Sequence, residues 1–239
     1  MTIAPEQPAT FGSGGAEPYA RALRHEGLLQ LVRAAGAVGT VGRPASPPAT
    51  RDRDADEPFD VARWSADADA ADLTTLDAET GPVLDIGCGP ARMVRAAVDR
   101  GLTVLGLDVS PTAVAMAREA GLPVAGGSVF DPLPREGEWN LALLLDGNVG
   151  IGGDPTALLT RCAEILTADG SVVVETAPDA SLDDSYEAHV VDDLGHASAT
   201  FPWAEVGREA LHRHARRSGL RVAQTWSVDG RTFCRLRAR

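Results

Sequence analysis

The chain has 239 residues, 44% hydrophobic and 23% charged, with 34 acidic against 22 basic side chains and a formal net charge of −12. That length supports one large domain with a core of its own, and that charge leaves no electrostatic footprint for a nucleic-acid backbone or an anionic lipid surface. Three cysteines, at 88, 162 and 234, have neither paired zinc spacing nor a disulfide framework, so free thiols in a reducing cytoplasm are expected, and no apolar run reaches the length of a membrane span.

Residues 1–17 are polar and rich in Gly and Pro, which predicts a disordered N-terminus. They carry neither a basic n-region nor an apolar h-region, so no secretion signal is expected. Residues 18–80 are expected to form a helical segment that folds over a cleft as a lid. Within it, Tyr19 to Ala37 places Leu23, Leu28, Leu31 and Val32 at helical spacing, interrupted at Gly27, which predicts one or two helices. Prolines and mixed charge mark 43–58 as a linker or surface loop. Phe59, Val61, Trp64 and Leu73 then lie in a weakly helical stretch.

After Gly81 short apolar strands alternate with helical segments. Val83–Ile86, Thr103–Leu107, Leu122–Ala125, 139–145 (WNLALLL) and Ser171–Glu175 read as strands. Helices are expected over Pro90–Asp99, after the Ser110-Pro111 cap to Gly121, from about Pro155, and from about Val206 to Arg217. This alternation predicts an α/β, doubly wound, mostly parallel sheet with helices on both faces. Asp229-Gly230 joins LRVAQTWSV to RTFCRLRA, a tight hairpin signal, so the last strand is expected to run antiparallel.

The turn DIGCGPAR, from Asp85 to Arg92, admits three readings. A dinucleotide fingerprint needs glycines at its first, third and sixth positions; Gly87 and Gly89 fit, but Arg92 holds the sixth. Asp85, at the strand end, would also repel a pyrophosphate that wants a bare helix N-terminus. S-adenosylmethionine has no phosphate and carries an ammonium, a sulfonium and a free ribose diol. Asp85 suits its cationic part, the glycines let the backbone approach, and Asp108 at the next strand end suits the diol. A tight turn without a ligand explains one glycine, but not this pair together with two strand-end acids.

From about Gly81 to Arg239 the chain resembles the class I S-adenosylmethionine-dependent methyltransferases. VLDIGCGPAR, VLGLDVSP, GSVFDPLP and WNLALLLDGNVG match their first four motifs in order. Ala91 stands where a third glycine is usual; a negative φ is expected there, close to a helix start. The resemblance implies a seven-stranded sheet in a methyltransferase domain at 81–239. It implies cofactor contacts from Asp85, Gly87, Cys88, Gly89, Asp108, Val109, Phe130, Asp131 and Asp146. In that scheme Asp85, Gly87 and Gly89 hold the methionine part and Asp108 the ribose. Phe130 and Asp131 stand at the adenine, and Asp146 faces the methionine part or the acceptor.

On the acceptor side the glycine-rich loop 146–155 offers Asn148 as an orienting group. The segment 178–207 is too long for a plain connection and is expected to cover an acceptor pocket, with His189 or His196 as a candidate base. It also holds Tyr186, Phe201 and Trp203; Tyr19 and Trp64 are further candidates for ligand contact. His212 and His214, two apart on a helix, point to different faces, so no metal site is expected. The reading is a small-molecule methyltransferase, monomeric or homodimeric, with no nucleic-acid or membrane partner. The alternatives are a non-catalytic adenosyl-cofactor-binding protein of this fold, or another enzyme using the same cleft, such as an aminopropyl transferase. An NAD-dependent oxidoreductase is disfavoured by Asp85, Arg92 and the closing hairpin.

Overall fold

The computed structural model describes residues 11–12, 17–25, 27–34 and 61–239. The expected linker at 43–58, and residues 1–10 and 13–16 of the expected disordered N-terminus, lie outside the described residues. In chain order the elements are α1 (Glu17–His25), β1 (Leu29–Arg33), α2 (Val61–Ser65), α3 (Ala70–Thr74), β2 (Val83–Ile86), α4 (Arg92–Asp99), β3 (Val104–Asp108), α5 (Pro111–Glu119) and β4 (Val124–Gly126). Then follow β5 (Trp139–Leu144), α6 (Pro155–Ile165), β6 (Leu166–Thr176), β7 (Asp183–Asp192), β8 (Phe201–Val206), α7 (Arg208–Arg217), β9 (Leu220–Val228) and β10 (Arg231–Ala238). No helix among the described residues is long and apolar enough to cross a membrane.

Seven strands form one sheet in the order β4-β3-β2-β5-β6-β10-β9. The pairs from β4 to β6 are parallel, and β10 is antiparallel to both neighbours. The apolar runs of the central strands follow from burial on both faces. On one face Leu84, Ile86, Ala142, Leu144, Val172 and Val174 pack with Leu158, Leu159 and Cys162 of α6 and Leu211 of α7. On the other, Val83, Leu141, Leu143, Val173 and Phe233 pack with Met93, Val94 and Ala97 of α4 and Val114 of α5. Successive residues of one strand thus enter opposite cores, as the two-residue period of a strand requires. The Ser110 cap acts as the sequence suggests, and Asp154 caps α6 in the same way. Ser110 accepts from Ala113 N at 3.3 Å, and Asp154 accepts from Thr156 N and Ala157 N at 2.9 and 3.0 Å.

From β2 the chain winds outward through β3 and β4, then returns to build β5 and β6 on the other side. The strand order reverses at β2/β5, where a crevice opens beyond the carboxyl ends of the strands.

Two expectations about local structure are corrected. The helical reading of Tyr19 to Ala37 holds only as far as His25. Gly27 N bonds Ala22 O and breaks the helix, and Leu29–Arg33 is a strand antiparallel to β7, with Leu31 opposite Val190. LQLVR satisfies both periods at this length, and pairing with a strand some 160 residues away decides between them. Ala91 has φ +75° and ψ +39°, the left-handed region, rather than the expected negative φ. A methyl there costs about 1–2 kcal/mol relative to a right-handed conformation; Ala91 is fully buried, so packing holds it.

The segment 178–207 is a hairpin, β7–β8, joined by β1 into a separate three-stranded antiparallel sheet. Its inner face, with Leu29, Ala188, Val190, Phe201 and Trp203, packs with Tyr19, Leu23 and Val61 into a third core. This sheet roofs the crevice. Gly150, in the turn after β5, is where roof and floor meet: a Cβ there would lie 2.1 Å from Ala204 O and 2.8 Å from the Trp203 ring. Gly150→Ala is expected to cost about 1–3 kcal/mol by overpacking, read as a lower urea midpoint at unchanged m-value. Gly137→Ala is the control. Its Cβ would meet no atom within 4 Å, and only the left-handed φ of +77° opposes it.

Candidate active site

The site is built on the turn after β2. Gly87 and Gly89 have φ of +71° and +53°, conformations that glycine adopts without penalty. Gly87 N and Cys88 N both donate to Leu107 O, at 2.8 and 3.0 Å, which pins the turn to β3. A Cβ on Gly87 would lie 2.6 Å from the Asn148 amide nitrogen. Asn148 Nδ2 donates to Ile86 O and Gly87 O at 2.9 and 3.0 Å. Two carbonyl partners fix that amide's orientation.

Asp108, at the end of β3, is buried and accepts from Gly89 N at 2.8 Å and Ser110 N at 2.7 Å, one on each oxygen. Burial raises its pKa, opposed by the backbone N–H groups of Ser110, Gly89 and Val109. Each oxygen keeps lone-pair capacity for a further donor. Asp85, one strand over, is also buried and lines the cleft. Among the described residues no hydrogen bond reaches its carboxylate. Burial pushes it from the usual 3.8 up to about 7; Arg92 pulls it down, and the charges of Asp146, Asp108 and Asp72 push it further up.

Arg92 is the buried cation of the site. Its Nε and Nη2 hold Asp72 at 2.8 and 3.2 Å, and its Nη1 lies 2.7 Å from Asp146 Oδ2. Asp72 also takes Arg231 Nη1 at 2.8 Å. Burial alone would raise Asp72, but Arg92 and Arg231 outweigh it and hold the carboxyl at about 2. Arg231 grips both oxygens of Glu175 at 2.7 Å, and Glu175 accepts from Asp146 N at 2.9 Å. Asp146 is thereby fixed at a left-handed φ of +52°, one that Asp tolerates better than most residues.

The roof of the cleft is aromatic. Phe11, Tyr19, Trp64 and Trp203 line it. Phe11 sits at the centre of the group, its ring centroid 5.1 Å from Tyr19, 6.2 Å from Trp64 and 5.6 Å from both Phe201 and Trp203. These are edge-on or tilted contacts of the kind aromatic pairs favour. Phe11 falls inside the stretch expected to be disordered; at this residue that expectation is corrected, because a ring with four aromatic partners is held. The Tyr19 ring reaches the glycine turn, with its hydroxyl 3.4 Å from where a Gly89 Cβ would stand. Burial and the nearby Asp108, Cys88 and Asp146 raise its pKa.

Of the sequence candidates, Asp85, Gly87, Cys88, Gly89, Asp108, Val109, Asp146 and Asn148 come together on one cleft. Phe130 and Asp131 do not line it; Ser128 and Val129 take that wall instead. Phe130 is 45% exposed at the rim, its ring against Gly152. Asp131 turns back to accept from Ser128 N at 3.3 Å. Neither candidate histidine reaches the cleft. His189 pairs with Val32 on β7, with its side chain on the face opposite Ala188 and Val190, and His196 lies on the surface with Nδ1 3.2 Å from Asp192. His214 ties α7 to Thr156 and Asp183, at 2.7 and 2.8 Å, away from the cleft. Sequence reasoning missed Phe11, Ser128, Val129 and the role of Arg92, which stood out only as a departure from a glycine pattern.

Among solved structures, a SAM-dependent methyltransferase from Bacteroides fragilis, crystallised with S-adenosyl-L-homocysteine, is similar over 97% of this chain and 98% of its own, with TM-score 0.71 at 16% identity. The CcbJ methyltransferase from Streptomyces caelestis is similar over 71% of this chain and 88% of its own, with TM-score 0.54 at 17% identity. Streptomyces venezuelae DesVI is similar over 73% and 92%, with TM-score 0.51 at 19% identity. At these identities the likeness shows the fold: a shared central sheet and, in the first, a match extending over nearly the whole chain. The sequence from 61 to 225, which holds the glycine turn, both strand-end acids and the roof hairpin, matches the methyltransferase domain family, and the chain belongs to it.

Proposed function

We propose that the cleft holds S-adenosylmethionine and that the protein moves a methyl group from it to a small-molecule acceptor by in-line displacement. One observation carries the cofactor reading: the buried Asp85 carboxylate lines the cleft, and among the described residues none donates to it. A buried acid left bare is costly, and a ligand bearing an ammonium satisfies it where a pyrophosphate would repel it. The residues fit the rest of such a cofactor. Asp108 has acceptor capacity left for a ribose diol, the glycine turn leaves room for close backbone approach, and Ser128 and Val129 offer a wall for a base. Phe130 and Asp131 act at the rim behind that wall. Acidic charge supports a small molecule over nucleic acid as the acceptor, in a cytoplasmic monomer or homodimer.

When bound, the cofactor supplies a methyl group already activated by a positive sulfur. The chain's own residues then have two tasks. They align the acceptor with that carbon, and they exclude water. Asp146, Asn148 and the glycine turn are held rigidly by the hydrogen bonds described above. The roof sheet and the N-terminal segment act as the lid, with Phe11, Tyr19, Trp64 and Trp203 closing the cleft by apolar surface.

Thermal shift and calorimetry with S-adenosylhomocysteine and with NAD test the assignment. Stabilisation by the first and none by the second is expected; the reverse would sink it. Asp108→Asn is expected to weaken S-adenosylhomocysteine binding by about tenfold or more, since hydrogen bonds to a buried charged group are among the stronger ones. Unchanged affinity would remove Asp108 from the site.

Asp85 gives a pH signature. Its pKa is about 7 in the fold against 3.8 in an open chain, so the fold favours the protonated form. That stability is complete below about pH 4 and is lost as the pH rises to about 7. A ligand's ammonium group prefers the ionised form. Binding of S-adenosylhomocysteine is therefore expected to release a proton below about pH 7 and to tighten as the pH rises through that value. Calorimetry in buffers of different ionisation enthalpy reads the proton, and Asp85→Asn should abolish both the release and the slope.

A further inference from the structure

A second cavity lies beside the cofactor cleft and shares three wall residues with it: Trp64, Asp146 and Trp203. Its floor comes from the turn after β5, at Val149, and the carboxyl end of β6, at Glu175 and Thr176. Its roof is the inner face of the three-stranded sheet, at Leu31, Trp203 and Glu205. The two cavities therefore adjoin along these three residues. The charge of the lining then bears on what the second one can take.

Three carboxylates line this cavity, Asp146, Glu175 and Glu205, against one guanidinium, Arg63. The arginines that neutralise the acids stand behind them, and among the described residues they fall short at both ends. On the roof, Arg33 serves two carboxylates, Asp184 at 2.6 Å and Glu205 at 3.1 Å. On the floor, Arg63, Arg92 and Arg231 serve Asp69, Asp72, Asp146 and Glu175. Each end thus keeps one carboxylate in excess. Aromatic walls with surplus negative charge favour a cation and oppose an anion.

The available bases point the same way. A hydroxyl acceptor gains from a general base, yet no histidine is among the described residues lining either cavity. Asp146 and Glu175 are both held by arginine. An amine reacts through its own lone pair once it has shed a proton to solvent. As the N–C bond forms the carbon–sulfur bond breaks, its electron pair stays on the sulfur, and the product leaves as a methylated ammonium, so the one proton released is the one shed before the transfer. We propose that this second cavity is the acceptor site and that its acceptor is an amine on an apolar or aromatic body, its ammonium drawn to the acidic lining of Asp146, Glu175 and Glu205, with Trp64 and Trp203 among the walls around its body. The proposal rests on the cofactor reading above.

The test uses the full chain saturated with S-adenosylhomocysteine and three probes on one phenyl-C3 skeleton: 3-phenylpropylamine, 3-phenylpropanol and 3-phenylpropanoate. Calorimetry is expected to rank amine over alcohol over carboxylate, with about tenfold or more between the first and last. Glu205→Gln should narrow that gap from both sides, weakening the amine and strengthening the carboxylate, while S-adenosylhomocysteine affinity stays unchanged. A loosened roof would instead weaken all three probes. Carboxylate binding as tight as amine binding, no amine binding at millimolar concentration, or an unchanged gap in Glu205→Gln would each overturn the proposal. Failure of S-adenosylhomocysteine itself to bind would overturn the cofactor reading, which the probe ranking alone cannot do.

Discussion

The buried guanidinium of Arg92 is the interaction on which the rest of this site depends. It begins a closed ring. Arg92 holds Asp146, whose backbone N–H donates to Glu175; Glu175 is gripped by Arg231, Arg231 holds Asp72, and Asp72 returns to Arg92. The five members come from the start of α4, the end of β5, β6, the closing strand β10 and the N-terminal helix α3. A segment distant in sequence and the C-terminal hairpin are thus locked to the glycine turn by charge. Removing one partner of such a buried set costs about 3–5 kcal/mol, because the others are left desolvated and unpaired. The ring therefore fixes geometry more than it adds net stability, and it keeps Asp146 in a left-handed conformation at the edge of both cavities.

The ring also explains why Asp85 is left bare. Arg92 is the cation near enough to neutralise it, but its three bonded nitrogens already face Asp72 and Asp146. Its pull on Asp85 is correspondingly partial, and burial wins. A fold that keeps one acid unpartnered at its centre forgoes stability there, as functional sites commonly do. A ligand that binds the folded state restores it by mass action.

Much of this was legible in the sequence, and the boundary between legible and illegible is physical. The central sheet could be read because its strands are apolar on both faces and its turns carry glycine, Asp-Gly and capped prolines, all local signals. Asp85, Gly87, Gly89 and Asp108 could be read because strand ends and left-handed turns constrain their residue types. The roof sheet could not, because β1 and β7 lie some 160 residues apart and LQLVR fits a helix as well as a strand until its partner is known. Phe11 was hidden for a similar reason. A single aromatic among Gly, Pro and polar neighbours carries no periodicity, and its four ring partners come from elsewhere in the chain. Arg92 was visible only as an exception to a glycine pattern; that the exception is the hub of a salt-bridge ring is a fact of tertiary structure. Ser128 and Val129 differ from the expected Phe130 and Asp131 by two positions, and that shift follows from the tight turn in which the Asp131 carboxylate folds back onto Ser128 N.

Charge and apolar surface divide the labour between floor and roof. The floor, at the carboxyl ends of parallel strands, gathers its acids on rigid backbone, where desolvation makes each one a strong determinant of what can bind. The roof gathers aromatic rings on a small separate sheet, supported by short helices and by Phe11. Aromatic rings bury large areas with little side-chain entropy to lose, and a roof of this kind excludes water without directional demands of its own. Most of the negative charge then comes from the floor, with Glu205 added from the roof, while enclosure comes from the roof. The arrangement places specificity on the part of the molecule least able to move. It leaves the N-terminal segment and the hairpin, joined to each other by the Arg33–Asp184–Glu205 cluster and to the rest by a third core, as the part that can be remodelled for a different acceptor.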